Sequence, residues 1–177
     1  MVAKTLADGR IKVLLLVSAP ADMKNPTVAE LTGANVIDAS CSILKSDYRL
    51  SATNSERVSE AALCEEGAAE AWGRSNYEGN LTSFRIFDAA KPGTADAEGD
   101  KVFQALKTKG VPIWVVERET GKDWDVAIEA GDEVSIYEVE PDNPQKPGSQ
   151  TEGYIKRIHP LTVKRAEEHV TVVAATP

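Results

Sequence analysis

Groups able to do nucleophilic or metal chemistry are few in this sequence, and their spacing does not suit them to it. The only histidines are His159 and His169, both near the C-terminal end. A serine or cysteine nucleophile needs a base within reach, and no G-x-S-x-G turn accompanies either histidine. His159, placed directly before Pro160, reads as a hydrogen-bonded structural histidine at a strand end. Cys41 and Cys64 lack C-x-x-C spacing, so neither a zinc site nor a redox pair is indicated. Buried, reduced thiols are the expectation, although the spacing leaves a single disulfide between them open. The acidic stretch "DWDVAIEAGDE" (residues 123–133) has the carboxylate density of a calcium loop. Counted from Asp123, however, Ile128 and Val134 occupy the positions where an EF-hand needs Gly and Glu. "GAAEAWG" (67–73) has the glycines of a phosphate loop without its Lys. "NLT" (80–82) matches a glycosylation acceptor, which matters only in a secreted chain. No catalytic, cofactor-binding or metal-binding residue follows from these patterns, and no cofactor or enzymatic activity is expected.

Charge narrows the field further. Acidic residues outnumber basic ones by 28 to 20, a net charge of -8, so the overall field repels a phosphate backbone. The densest basic cluster, "KRIHPLTVKR" (156–165), runs straight into Glu167 and Glu168 and reads as a solvated strand surface. Trp72, Trp114 and Trp124 stand apart from one another with no basic groove around them, which suits core or interface anchors better than base-stacking platforms. With 177 residues, 42% hydrophobic and 27% charged, the chain has the size and composition for one folded domain, expected to span residues 1–177.

The elements that would carry these residues are mostly strands. "RIKVLLLV" (10–17) is apolar on both faces and reads as a buried strand rather than a signal peptide, because Asp8, Arg10 and Lys12 interrupt it. No stretch approaches the ~20 apolar residues that span a bilayer. A soluble protein made in the cytoplasm is expected. A helix of one or two turns is expected after it, with Asn25 as cap, Pro26 at the first helical position and Gly33 at the stop. "NVIDAS" and "CSILKS" supply one or two short strands, and residues 61–80 read mostly as strand and loop. "LTSFRIFDA" is a strand candidate carrying Leu81, Phe84, Ile86 and Phe87. The best helix lies over 96–109, where Asp96, Glu98 and Asp100 fill the first turn, Lys107 and Lys109 the last, and Gly110 closes it. "VPIWVVERE" and "DEVSIYEVE" are strong strands, "PDNPQKPGSQ" (141–150) is a loop, and "GYIKRIHPL" and "LTVKRAEEHVTVV" give the last two strands. The tally predicts a mainly β, α+β architecture: a β-sandwich or closed barrel with one flanking helix.

One segment resists both periodicities. In "SDYRLSATNSERVSE" (46–60), one set of alternate residues is polar throughout and the other only half apolar, so nothing within the chain obviously buries it.

The ordered blocks "KTLADGRIKVLL", "PTVAEL", "KSDYRLS", "SNYEG", "VERE", "YEV", "DNPQ" and "GYIKR" resemble the major tail protein family of long, non-contractile tailed phages, particularly those of actinobacteria. The similarity runs from Lys4 to about Leu161. It implies a structural virion protein, without enzymatic activity, made in the host cytoplasm. Its subunits form hexameric rings stacked into a tail tube, which surrounds a tape-measure protein and later conducts DNA into the host. Tail terminator and baseplate or tail-tip proteins are further implied partners, and extended N- and C-terminal arms fit the pattern. A tube or ring protein of a related secretion or contractile machine, or a small β-barrel ligand-binding module, are the alternatives. On the tube reading, residues 46–60 form an extended inter-subunit element. Its contacts are Asp47, Tyr48, Arg49, Leu50, Asn54, Glu56, Arg57 and Glu60. The acids Asp47, Glu56 and Glu60 are then candidates for the bore, where negative charge keeps DNA from sticking.

Overall fold

A computed structural model describes residues 4–64, 66–67, 69–149 and 152–174. The termini and the loop end at Gln150, where sequence suggests arms and a turn, thus lie partly outside the described residues. The described residues contain nine strands, β1 (Ile11–Leu16), β2 (Val36–Asp38), β3 (Arg49–Thr53), β4 (Arg57–Glu60), β5 (Ala69–Trp72), β6 (Asn76–Phe84), β7 (Ile113–Glu119), β8 (Glu133–Pro141) and β9 (Lys156–Thr171), two short α-helices, α1 (Val28–Thr32) and α2 (Lys101–Leu106), and a single 3-10 turn at Lys45–Asp47. Seven strands form one antiparallel sheet in the order β2-β1-β7-β8-β9-β6-β3, and β4 pairs only with β5.

The sheet is buried on both faces because its central strands are apolar at successive positions. Val13 and Leu15 of β1 join Val115, Tyr137, Val139, Leu81, Leu161 and Leu50 on one face, beneath Val102 and Leu106 of α2. Leu14 and Leu16 point the other way and join Val116, Val134 and Ile136 under Met23, Leu31 of α1, and Ile128. The fold is sandwich-like: helices and loops cover a strongly curled sheet.

Curling brings Tyr48, just before β3, against Glu117 of β7, although three strands lie between them in the sheet order. A closed barrel does not form among the described residues, for β2 and β3 remain edges. The chain itself spans the gap instead. Ala39 N–H donates to Val13 O at 2.9 Å on one edge, and Leu44 N–H donates to Thr82 O at 2.8 Å on the other.

Several local expectations change for identifiable reasons. Thr27, not Asn25, caps α1: its hydroxyl accepts from Glu30 N–H, Glu30 accepts from Thr27 N–H in return, and Asn25 instead donates to Asp22 at 2.8 Å. The second helix begins at Lys101 because its acids are spent elsewhere. Asp96 accepts from Glu98 and Gly99 N–H, and Asp100 is fully buried. Asp100 accepts from Arg85 Nε and Nη2 at 2.9 and 3.1 Å, from Ile86 N–H at 3.0 Å and from the Gln104 amide at 2.7 Å. Held this way, its carboxyl titrates below the ordinary range, burial being more than offset by Arg85, Gln104 and the Ile86 amide. Because Arg85 turns inward to Asp100, β6 stops at Phe84 and leaves Ile86 and Phe87 exposed. The two C-terminal strands are one, β9, which runs through Pro160. The Pro160 carbonyl accepts from Asp142 N–H on the β8 side, so its missing amide falls where β8 has ended and breaks no ladder bond.

Buried thiols are not found: Cys41 and Cys64 are both exposed and unpaired. Trp72 and Trp124 are exposed as well, leaving only half-buried Trp114 against the core. His159 is fully buried, within 2.9 Å of the Ser83 hydroxyl and stacked obliquely on Phe103 of α2; burial pushes its pKa down to about 4, so it is neutral.

Asp100 is thus the anchor of α2. Asp100→Ala strands the Arg85 guanidinium in a largely buried position, and urea unfolding at neutral pH should show a loss of about 3 kcal/mol. A loss under about 1 kcal/mol, the level of a surface ion pair, would contradict this assignment.

Candidate functional site

Residues 46–60 divide sharply in two. The first half is built into its own chain, contrary to the sequence expectation that nothing buries it. Asp47 accepts from the Asn80 amide at 3.0 Å and from the Thr82 hydroxyl. Tyr48 donates to Glu117, Arg49 pairs with Glu78 across the ladder, and Leu50 is a core residue. The signal missed in the sequence is the opposing strand: Asn80, Glu78 and Leu81 complete what 46–53 lacks, and a single-segment periodicity cannot see them.

The second half leaves the body. Thr53 lies opposite Asn76 in the β3–β6 ladder, and Arg57 lies opposite Trp72 in the β4–β5 ladder, so each strand advances by the same number of residues across the break. Within that break Glu56 N–H donates to Arg74 O at 3.0 Å, and Glu56 O accepts from Gly73 N–H at 2.8 Å. The four strands are therefore one long ribbon, roughly 36 Å from Arg49 to Glu60 at the rise of a strand. β9 supports it only as far as Gly79, opposite Leu161. Gly79 is required there, since a Cβ would come within 2.8 Å of Leu50 Cδ1 and 3.0 Å of Leu161 Cβ.

Beyond Gly79 the ribbon is a two-stranded arm. All four β4 residues are exposed, as are Trp72 (72%) and Leu63 at its turn. Opposed residues share a face, so Arg57 and Trp72 lie on one side with Ser59 and Glu70, and Glu56, Val58 and Glu60 on the other. Arg57 stacks on Trp72, 5.2 Å from the ring centroid, and reaches Glu70 at 3.1 Å. Asn54 sits at the root, its carbonyl accepting from the Asn76 amide at 3.1 Å. Of the candidate bore acids, Glu56 and Glu60 are exposed on the arm, and Asp47 is engaged within the body. Sequence reading placed 46–60 in an extended inter-subunit element and took Trp72 as a core or interface anchor, but it did not set the two against each other, since they lie on different strands.

Where the curl closes on itself, Tyr48, Glu117, Tyr137 and Glu168 form a second cluster, the Tyr137 hydroxyl donating to Glu168 at 2.7 Å. Burial raises the Glu117 pKa to about 7 against the hydrogen bond from Tyr48, helped by the neighbouring charges of Glu119 and Glu168. Burial and the adjacent Glu117 likewise hold the Tyr48 phenol protonated.

No group of His, Cys, Asp and Glu among the described residues could hold a metal ion. An open apolar cleft of about 230 Å³, lined by Ile11, Val13, Ile43, Tyr48 and Trp124, falls below the ~300 Å³ at which ligand pockets begin. No helix among the described residues is long and apolar enough to cross a membrane.

The family model described as phage tail tube protein matches residues 1–176, and the chain belongs to that family. No curated protein matches the chain. Membership makes this a structural tail tube protein, of a family that is not an enzyme family, whose members assemble into a tube in the virion tail.

Glu117 gives the body a measurable pH signature. Its folded pKa lies above the unfolded value, so the folded chain keeps a proton that the unfolded chain has lost, and stability falls as pH rises from about 4.5 through 7. His159, whose folded pKa is lowered, acts oppositely between about 6.5 and 4, so the difference from a Glu117→Gln variant is the clean measure. Between pH 5 and pH 8 that variant should gain about 2 kcal/mol on the parent, a figure below the full shift because Glu117 keeps some solvent contact. A difference that stays constant with pH would contradict the assignment.

Proposed function

We propose that this tail tube protein is a purely structural subunit that forms hexameric rings stacked into the conduit for DNA ejection. The β4–β5 arm is its principal inter-subunit element. The observation that carries the reading is the arm itself. A ribbon of two strands, with Val58, Leu63 and Trp72 in water and both outer edges open, is marginally stable alone. Covering by neighbouring copies stabilises it and removes edges that would otherwise aggregate.

On this reading the domain spans residues 1–177, with arms at both ends. Arg57 of β4 and the rest of 54–60 contact other copies. Asp47, Tyr48, Arg49 and Leu50 set the root from which the arm projects. Glu56 and Glu60, with Asp47 nearer the body, supply negative charge to the bore so that DNA passes without binding. The chain is made in the host cytoplasm and acts without catalysis. Its further partners are a tape-measure protein inside the tube and terminator and tip proteins at its ends. The small open cleft disfavours a ligand-binding module.

The purified chain should form rings or tubes in negative stain, and a strictly monomeric chain at high concentration would defeat the proposal. Arg49→Glu and Arg57→Glu remove exposed pairs, so each should cost folding less than about 1 kcal/mol. Arg57→Glu should raise the concentration needed for polymerisation about tenfold, the equivalent of one lost contact, and Arg49→Glu should raise it by disturbing the root of the arm. Normal tubes from both variants would move the inter-subunit contacts off this arm.

A further inference from the structure

A second exposed apolar surface lies at the far end of the strand that carries the arm. Where β6 ends, Ile86 and Phe87 are exposed, and Arg85 N–H donates to Ile155 O at 2.8 Å, drawing residues 154–155 alongside. Tyr154 is 80% exposed and Ile155 55%, and the Tyr154 ring meets Phe84 edge-on at 5.7 Å between centroids. Aromatic and aliphatic side chains from two adjacent segments are thus exposed at the same end of β6, and clustered exposed apolar groups mark contact sites.

Four bases neighbour these residues along the chain or across the ladder. Lys156 and Arg157 follow Ile155 directly, Lys146 is brought close by the pairing of Gln145 with Ile158, and Lys91 lies in the turn after Phe87. None of these four makes an ion pair among the described residues, whereas most other Lys and Arg do. The arm has the complementary character: Trp72 and Leu63 exposed, with Glu56, Glu60, Glu66 and Glu70 against Arg57 and Arg74.

Geometry forbids the two from meeting within one chain. β6 spans roughly 26 Å from Asn76 to Phe84, with the arm continuing beyond Asn76 and the patch beyond Phe84. We infer that the basic aromatic patch of Phe84, Ile86, Phe87, Tyr154 and Ile155 receives the acidic, Trp72-bearing arm of a second copy. The contact is heterologous, arm of one subunit to patch of the next, and therefore propagates instead of closing a dimer. It rests on the tube reading above and adds to it the receiving surface.

The test is a charge exchange followed by sedimentation and negative stain. Lys156→Glu with Arg157→Glu should raise the polymerisation threshold about tenfold or more, as should Glu66→Lys with Glu70→Lys, and the four changes together should return it toward the parent value. Tyr154→Ser, at a side chain already in water, should impair polymerisation while leaving the urea midpoint unchanged. Three results would overturn the inference: normal assembly of the patch variants, an exchange that restores nothing, or impairment that tracks lost folding stability. A deletion of residues 57–72 that blocks assembly while the patch variants assemble normally would leave the arm's role standing and remove only its receiving surface. A parent chain that never polymerises would remove both.

Discussion

Every backbone amide and carbonyl taken from water must find a partner, and this chain meets that requirement unevenly along its length. Inside the sheet, β6 is flanked by β9 and β3, so both of its edges are used around Gly79 and Asn80. Past that point the same ribbon continues with only internal pairing. The change is abrupt because β9 ends its contact where Leu161 crowds Gly79, and no other strand among the described residues takes its place. The body can therefore fold on its own hydrophobic burial, while the arm holds a geometry that only further pairing or covering makes rigid. Self-assembly belongs to the family, and the arm is one place where this sequence leaves backbone and apolar surface exposed.

The body, in contrast, is locked with buried charge. Arg118 is fully buried and donates to the carbonyls of Asp123, Val126 and Ala127 while pairing with Asp132 at 3.5 Å, so one guanidinium shapes the whole β7–β8 loop. Asp100 does the same for α2, and Lys12 joins β1 to Asp38 at the β2 edge at 2.8 Å. Such pairs add little net stability over apolar packing, but losing one partner is costly, so they select a single arrangement. That selectivity matters for a repeating assembly, where a small error in the angle between body and arm would recur at every subunit.

Much of the body was legible because its signals are local. The doubly apolar run of β1 announced a strand buried on both faces, and "VPIWVVERE" and "DEVSIYEVE" announced its neighbours. What stayed hidden depends on distant partners. Residues 46–53 look unburied until Asn80, Glu78 and Glu117 are set against them, and no window of the sequence contains both sides. Acids before α2 obeyed the dipole rule in spacing, yet Asp100 was taken by Arg85, a tertiary demand that outweighs a few tenths of a kcal/mol of helix end charge. Burial of the cysteines was inferred from residue type alone, and type says nothing of Cys64 lying on a projecting turn. The arm was half visible: polar alternation over 54–60 marked it as outside the core, whereas Trp72 could be recognised as an exposed anchor only once its opposition to Arg57 was known.

The arm and the patch lie off opposite ends of β6. On the proposed contact between them, load passed from a neighbour's patch into the arm enters the body along β6, parallel to the strand. Antiparallel hydrogen bonds lie perpendicular to their strands, so a pull along β6 shears the whole β6–β9 ladder at once instead of opening it one pair at a time. An arm mounted on the edge strand β3 alone would have concentrated the same load on a single ladder. Because both strands of the ribbon continue from the sheet without a register change, β3 shares the load as well. On the proposed contact, a subunit that carries load along the tube gains from having its protruding element and its receiving surface at opposite ends of an interior strand.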